Sequence, residues 1–488
     1  MWYGVSSIFA RFLNYLLTPY LTLKFTGTSQ FGKMSLVYSL VPFLNVLVLF
    51  ALDTAYFRYI QKQENEKKLY DTLTWSTLGN TVLVVGLILI FRHDIAQFIN
   101  LGEHPEYITF TGLIIGFEAL SSLPFAKLRH EGRPRKFALI RVSAIFINIA
   151  ATYFFLSVLP GKARAHPNSF WLILYRPDFG VGYVLLANML ASGFQFIALF
   201  GQYLQFRGTF DKRLWKDIMI YALPLTIAGF GGMINETFDR ILLAKRLHMP
   251  KELADYEVGV YSACYKLSLL ISLFVQAFRM GAEPFFFRQA VEEDARKTYA
   301  RVMKFFVITI CLMFLFVALY IDIWKQFIQD KTMWKGLGVV PILLFANMFL
   351  GIYYNLSIWY KLSRNTRAGA YITLIGAAIT LVVNFVFIPY FSFWASAWAT
   401  FLCYGSMMVI SFVWGQKAYR VPYAWKKLVA YMVIVAVLYF VHRTLTHFWP
   451  GKIFSLVAAT LLSGTYAAFI LRIERKEFRR LPLIGKYL

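Results

Sequence analysis

Apolar residues in this chain come in long runs set apart by short polar stretches. Windows of about 20 apolar residues, the helical length that crosses a bilayer core, fall near 4–23, 35–57, 72–91, 108–126, 137–158, 181–203 and 221–244. Seven more fall near 258–280, 303–321, 339–360, 370–388, 393–415, 428–441 and 453–471. The pattern predicts an all-α, polytopic membrane protein of about 14 transmembrane helices, with the thirteenth the weakest. Loops are short throughout. The longest, around 159–180 and 281–302, leave no room for an independent extramembrane domain.

Two adjacent spans carry ionisable residues that a lipid-facing helix avoids. In the first, Pro224, Gly229, Gly231 and Gly232 crowd one half and Asn235, Glu236, Asp239 and Arg240 the other, so the helix is expected to bend with one polar face. The three glycines are the expected hinge. In the second, Tyr261, Tyr265, Ser268, Ser272, Gln276, Arg279 and Glu283 follow at steps of three or four and share one helical face. A polar stripe of that length predicts a water-accessible cavity, although each Ser or Tyr alone also suits hydrogen bonding between helices. Shorter polar sets read as such glue: Ser35, Tyr38 and Asn45; Arg141, Asn148 and Thr152; Asn188, Ser192 and Gln195. Glu118 and Arg141, on consecutive spans, are expected to neutralise each other.

An internal repeat suggests how the spans are grouped. A shift of 227 aligns Gly32 with Gly259, Ser35 with Ser262, Tyr38 with Tyr265 and Asn45 with Ser272, and a shift of 228 aligns Arg11 with Asp239. Six spans separate equivalent helices, so the halves would be parallel repeats. The expected organisation is a six-helix half over 1–205, a cytoplasmic connector over 206–220, a second six-helix half over 221–415, and two extra helices with a basic tail over 416–488.

Composition agrees with a membrane protein: 59% of residues are hydrophobic and 15% charged, with a mean hydropathy of +0.56. The net charge of +25 follows topology. With the N-terminus inside, 31 of the 50 lysines and arginines fall in inner loops and 14 in outer ones, which predicts cytoplasmic termini. Nucleic acid is not needed to explain the charge. The first span lacks a basic leader and a cleavage site and is expected to remain as a helix. Cys264, Cys311 and Cys403 lie in separate spans, the seven histidines are scattered, and no phosphate-binding loop occurs. No cofactor is therefore expected beyond coupling, if any, to a proton or sodium gradient.

Three runs carry a family resemblance: G-V-S-S-I-F-A-R-F-L-N at 4–14, A-L-D-T-A-Y-F-R-Y at 51–59, and D-R-I-L-L at 239–243 followed by V-G-V-Y-S-A-C-Y-K-L-S at 258–268 and A-E-P-F-F-F at 282–287. They resemble the polysaccharide-transporter, or oligosaccharide-flippase, branch of the multidrug/oligosaccharidyl-lipid/polysaccharide exporter superfamily. The resemblance implies a flippase rather than an enzyme. It would move a polyprenyl-diphosphate-linked oligosaccharide across a bacterial inner membrane by alternating access, for O-antigen, capsule or exopolysaccharide synthesis. Its partners would be that lipid-linked substrate, the bilayer and the polysaccharide-assembly machinery. The alternatives are a cation-coupled exporter of small amphipathic compounds, for which an acidic cavity would be expected, and a membrane glycan polymerase or ligase, for which the outer loops are too small.

Charges inside spans must be paired or wet. The set Arg11, Arg58, Arg141, Arg240, Lys266 and Arg279 against Asp53, Glu118, Glu236, Asp239 and Glu283 predicts an amphoteric cavity with a cationic surplus. Arginine grips phosphate oxygens bidentately. The expected substrate-binding residues are Arg11, Asn14, Arg58, Lys266, Gln276 and Arg279, with Arg11 and Arg279 on the diphosphate. Asp239 and Glu283 are the expected coupling carboxylates. Most aromatic side chains are expected in packing or interface belts, with a minority on sugar rings.

Overall fold

The structure is a computed structural model that describes residues 2–60, 66–166, 170–204, 206–290, 292–363 and 365–479. Among the described residues there is no strand, and 13 helices are long and apolar enough to cross a membrane. Helices satisfy every backbone group internally, which a bilayer demands of a spanning segment. The principal helices are α1 (Trp2–Lys24), α2 (Gln30–Leu49), α3 (Leu52–Tyr59), α4 (Glu66–Ile90), α5 (Pro105–His130), α6 (Pro134–Tyr153), α7 (Val181–Tyr203) and α8 (Lys212–Arg246). They continue with α9 (Lys251–Gln289), α10 (Ala295–Ala318), α11 (Val340–Leu356), α12 (Ile358–Leu362), α13 (Thr366–Phe391), α14 (Phe393–Ala418), α15 (Trp425–Phe448) and α16 (Lys452–Ile473).

Several boundaries differ from the apolar windows. The thirteenth span is no weaker than the rest: α15 runs 24 residues, because its polar ends (Lys426 and Lys427, His442 and Arg443) stay helical beyond the apolar centre. The expected loop at 281–302 begins inside α9, a continuous helix of 39 residues. The loop expected from 159 begins inside a helix that continues α6 through a π-helical turn at Phe154–Val158 to Ala165. Residues 212–220 are the first turns of α8, which Asp211 caps by accepting from the N–H groups of Arg213 and Leu214.

The chain divides into two compact units, Met1–Ser262 with Thr373–Ala399, and Ala263–Ile372 with Thr400–Leu488. In the first, α5 packs against α7, α4 and α2, α1 against α6, and α8 against α2. The segment leading into α8 is tied down. Asp71 on α4 accepts from Arg207 N–H at 3.3 Å, Thr209 N–H at 3.2 Å and the Thr209 hydroxyl at 2.7 Å, and Lys68 pairs with Asp211 at 2.8 Å. Beneath it Leu52, Tyr56, Leu69, Leu73, Leu214 and Ile218 form a buried cluster.

In the second unit, α10 packs against α11, α15 and α16. The end of α16 is pinned by a buried carboxylate. Glu474 accepts from Tyr431 at 2.6 Å, Lys304 at 2.7 Å and Lys427 at 3.1 Å.

Candidate substrate site

The long polar stripe of α9 divides into two environments. Tyr261 donates to Asp239 at 2.7 Å. Further along, the Ser272 hydroxyl donates to Asn347 Oδ1 at 2.6 Å, and Asn347 Nδ2 donates to Ser268 at 3.3 Å and to the Leu343 carbonyl at 2.8 Å. Asn347 is buried, so this part of the stripe joins α9 to α11 as interhelical glue. The stripe is buried from Tyr261 to Ser268 and partly exposed from Ser272 through Gln276 and Arg279 to Glu283.

At that exposed end the second unit assembles a cationic cluster. Arg279 Nε donates to Glu283 at 2.7 Å, and Lys361 Nζ donates to the same Glu283 oxygen at 2.6 Å. The Arg279 guanidinium also lies 4.6 Å from the Tyr354 ring centre. Two cations against one carboxylate leave a formal charge of +1. The side chains of Arg279, Glu283 and Lys361 keep 43%, 33% and 24% of their exposure, so the cluster is not sealed inside the protein. Lys361 arrives there through a break in the tenth span. α11 ends at Leu356, the Ser357 hydroxyl caps the Tyr354 carbonyl at 2.6 Å, and the chain re-enters helix as α12, anchored by Trp359 donating to Ser411. Lys361 falls just past the apolar window at 339–360 and so counts among the inner-loop cations in the sequence. The signal it carried was its place directly after the aromatic run Trp359–Tyr360, which the fold buries.

Asp239 is buried and saturated. Its Oδ1 accepts from the Arg240 backbone N–H at 2.8 Å and from Arg240 Nη1 at 3.1 Å, and Tyr261 occupies Oδ2. The side chain of Arg11 lies outside the described residues. Asn14 is exposed on α1. Arg58, also exposed, stacks over Tyr221 at 4.0 Å. Lys266 and Gln276 are half-buried on α9. Of the three glycines, Gly229 and Gly231 are packing positions: a Cβ would stand 3.2 Å from Val46 Cγ1 at the first and 3.3 Å from Thr373 and Leu374 methyls at the second. A Cβ on Gly232 would meet nothing within 4 Å. α8 runs unbroken through all three.

Residues that singly read as glue come together inside the first unit. A cavity of about 220 Å³ is lined by Asn45, Asp53, Glu118, Arg129, Arg141 and Gln195, with Ser121, Ser122 and Phe125. Asn45 Nδ2 donates to Glu118 at 3.1 Å, and the Arg141 guanidinium lies 4.6 Å from the Phe125 ring centre. Glu118 and Arg141 thus line one polar chamber. Another carboxylate was missed altogether. Asp255 near the start of α9 is fully buried, and neither side-chain oxygen has a hydrogen-bond partner among the described residues. Its helical neighbours Val258, Gly259 and Ser262 on the same buried face were the available sign.

The arrangement of helices is that of an all-α, multi-pass membrane protein. The lipid II flippase MurJ in an inward closed conformation superposes with a TM-score of 0.69 at 14% identity, covering 96% of this chain and 98% of that one. A multidrug resistance MATE family transporter of the MOP superfamily superposes with TM-scores of 0.59 inward-facing and 0.58 outward-facing, each at 14% identity. Those two matches cover 86% and 88% of this chain, and 94% and 95% of theirs. At such identity the likeness is one of fold. The family model for polysaccharide biosynthesis proteins matches residues 1–290, and the chain belongs to that family, the polysaccharide-transporter branch of the MOP superfamily. No curated protein sequence matches the chain directly.

Proposed function

We propose that this transporter is a flippase that carries a polyprenyl-diphosphate-linked oligosaccharide from the inner to the outer leaflet of a bacterial cytoplasmic membrane, for cell-surface polysaccharide synthesis. The carrying observation is the partly exposed cluster of Arg279 and Lys361 around Glu283, with a cationic surplus beside the Tyr354 ring. A diphosphate displaces Glu283 from the two cations and accepts charge-assisted hydrogen bonds from both. Glu283 then serves as their resting partner and as the carboxylate that re-forms the pair once the substrate has left. Tyr354 offers a flat face to the first sugar. Arg11 remains the proposed second grip on the diphosphate. Family membership and the fold shared with a named lipid II flippase support a lipid-linked substrate. The basic loops support cytoplasmic termini, and a C-terminal reporter that reads the outside would overturn that part.

The test is transfer of a labelled polyprenyl-diphosphate oligosaccharide in proteoliposomes, at matched protein abundance. Each lost charge-assisted hydrogen bond removes about 1.5–3 kcal/mol of binding, roughly 10- to 150-fold. Arg279→Ala and Lys361→Ala should each weaken substrate use to that extent, and Arg279→Lys should recover only part, since it keeps the charge without the planar fork. Full transfer by both alanine variants would remove the cluster from the mechanism. Gradient-driven export of a small cationic drug, without glycan transfer, would instead favour the multidrug reading that the MATE-like fold also accommodates.

A further inference from the structure

The start of α9 carries a carboxylate that the fold leaves uncommitted. Asp255 is fully buried, and neither of its side-chain oxygens has a hydrogen-bond partner among the described residues. The charged groups around it are Lys33 on α2, Glu103 ahead of α5, and Lys251 and Glu252 on its own helix. These are matched among themselves. Lys33 donates to Glu252 at 3.3 Å, the Ser29 hydroxyl donates to the same carboxylate at 2.8 Å, and Lys251 pairs with Glu103 at 3.1 Å. An ionised carboxylate kept from water with no donor on it is costly enough that such a group is buried with its proton bound.

Asp255 sits where α2 and α9 cross main chain against main chain. A Cβ on Gly32 would overlap the Asp255 carbonyl oxygen and lie 3.0 Å from Gly259 N. Gly32 and Gly259 are a pair that the shift of 227 aligns, so equivalent points of the two helices meet at this crossing. Asp255 breaks the equivalence, because Thr28 stands at the matching position. A single carboxylate without a counterpart is therefore buried at the contact, and drawing the helices apart hydrates it.

We propose that Asp255 is a proton-operated catch on the outer side of the transporter: it holds a proton while α2 and α9 cross as observed, and gives that proton to outer water when they separate. The outer placement rests on the topology proposed above, which puts the segments 25–29, 91–104 and 247–250 outside. Closing reverses the step and takes one proton from the same water. The sign is fixed by which state holds the proton. Acid outside favours the crossed state, and each unit of rising pH raises the ratio of separated to crossed molecules by up to about tenfold, the limit for one proton. The pH of the outer water thereby sets how readily this side opens.

Spin labels on Thr28→Cys and Leu253→Cys, both exposed positions, report the crossing by pulsed dipolar distance measurement on the full chain in nanodiscs; the three native cysteines are buried. Between about pH 5 and about pH 9, a range that covers buried carboxylates, the long-distance population should grow as pH rises. Asp255→Asn keeps the shape of the protonated side chain and should hold the short distance throughout. A distance distribution that ignores pH in the labelled parent would overturn the proposal without recourse to any Asp255 variant. So would a pH response that persists in Asp255→Asn, or a short distance restored at high pH by sodium ions, which would assign the carboxylate to a metal cation. No glycan enters the measurement, so lost glycan transfer with this pH response intact counts against the flippase reading alone.

Discussion

Gly32 is where an added methyl group should do most harm. In the first unit α2 crosses the start of α9 so closely that a Cβ on Gly32 would overlap the Asp255 carbonyl oxygen, lie 2.7 Å from its carbon and 3.0 Å from Gly259 N. Carbon atoms pack at about 3.5–4.0 Å, so Gly32→Ala must push the two backbones apart by roughly 1 Å. Neither is the tip of a flexible side chain. Overpacking of this kind costs about 1–3 kcal/mol, and here it also loosens Lys33 and Ser29 from Glu252, now held at 3.3 and 2.8 Å. One term opposes the loss: separation admits water to the buried Asp255 carboxylate. Gly32→Ala combined with Asp255→Leu should therefore be non-additive, as touching sites are. Gly86→Ala is the control, since its Cβ meets nothing within 4 Å and helix propensity alone should stabilise by about 0.5–1 kcal/mol. The assay is thermal unfolding of purified variants in one detergent, with membrane abundance alongside. If Gly32→Ala unfolds with the wild type, the close crossing does not exist in solution.

Three further outcomes follow from the same geometry. Gly232→Ala adds a methyl group to open space in α8, so it should leave abundance intact yet slow glycan transfer if the helix bends there; unchanged transfer moves the hinge elsewhere, while Gly229→Ala and Gly231→Ala should cost stability by packing alone. Asp239→Asn weakens the bonds to Arg240 and Tyr261 and should destabilise by about 1.5–3 kcal/mol; a folded variant whose transport ignores the ion gradient would instead mark Asp239 as a coupling site. Burial alone would raise the Glu474 carboxyl, but hydrogen bonds from Lys304, Tyr431 and Lys427 hold it below the ordinary glutamate range. A depressed folded pKa gives stability that is present above the unfolded value of about 4.3 and lost as pH falls through the folded one. Acid unfolding of the α16 end, followed by hydrogen exchange, should show this loss, and Glu474→Gln should abolish its pH dependence.

What the sequence made legible was whatever depends on one helix at a time. The number and order of apolar spans need only hydropathy, and the polar face of α9 needs only the 3.6-residue period. Span ends were less legible because polar residues such as His442 and Arg443 continue a helix that the apolar window closes early. The partners of a polar face were not legible at all. Ser268 and Ser272 share a stripe with Arg279 and Glu283, yet Asn347 consumes the first two while Lys361 joins the last two. Which neighbour a side chain meets depends on helix packing, and no periodicity contains it. The break at Phe50 and Ala51 was hidden for a different reason: neither residue is a glycine or a proline, the usual marks of an interrupted helix.

The carboxylates bear on how the chain manages charge in a bilayer. Asp71, Asp239 and Glu474 are buried and each accepts at least three hydrogen bonds. Removing any of them strands its donors, so their substitution should cost stability first. Glu283 and Glu118 differ. Glu283 is one carboxylate between two partly exposed cations, and Glu118 lines a cavity together with Asp53, Arg129 and Arg141. A group of that kind exchanges its partner for a ligand at low cost, because the ligand restores the charge balance that its arrival disturbs. The residues worth testing for transport are therefore the incompletely committed charges, and the saturated ones serve as the frame that holds them.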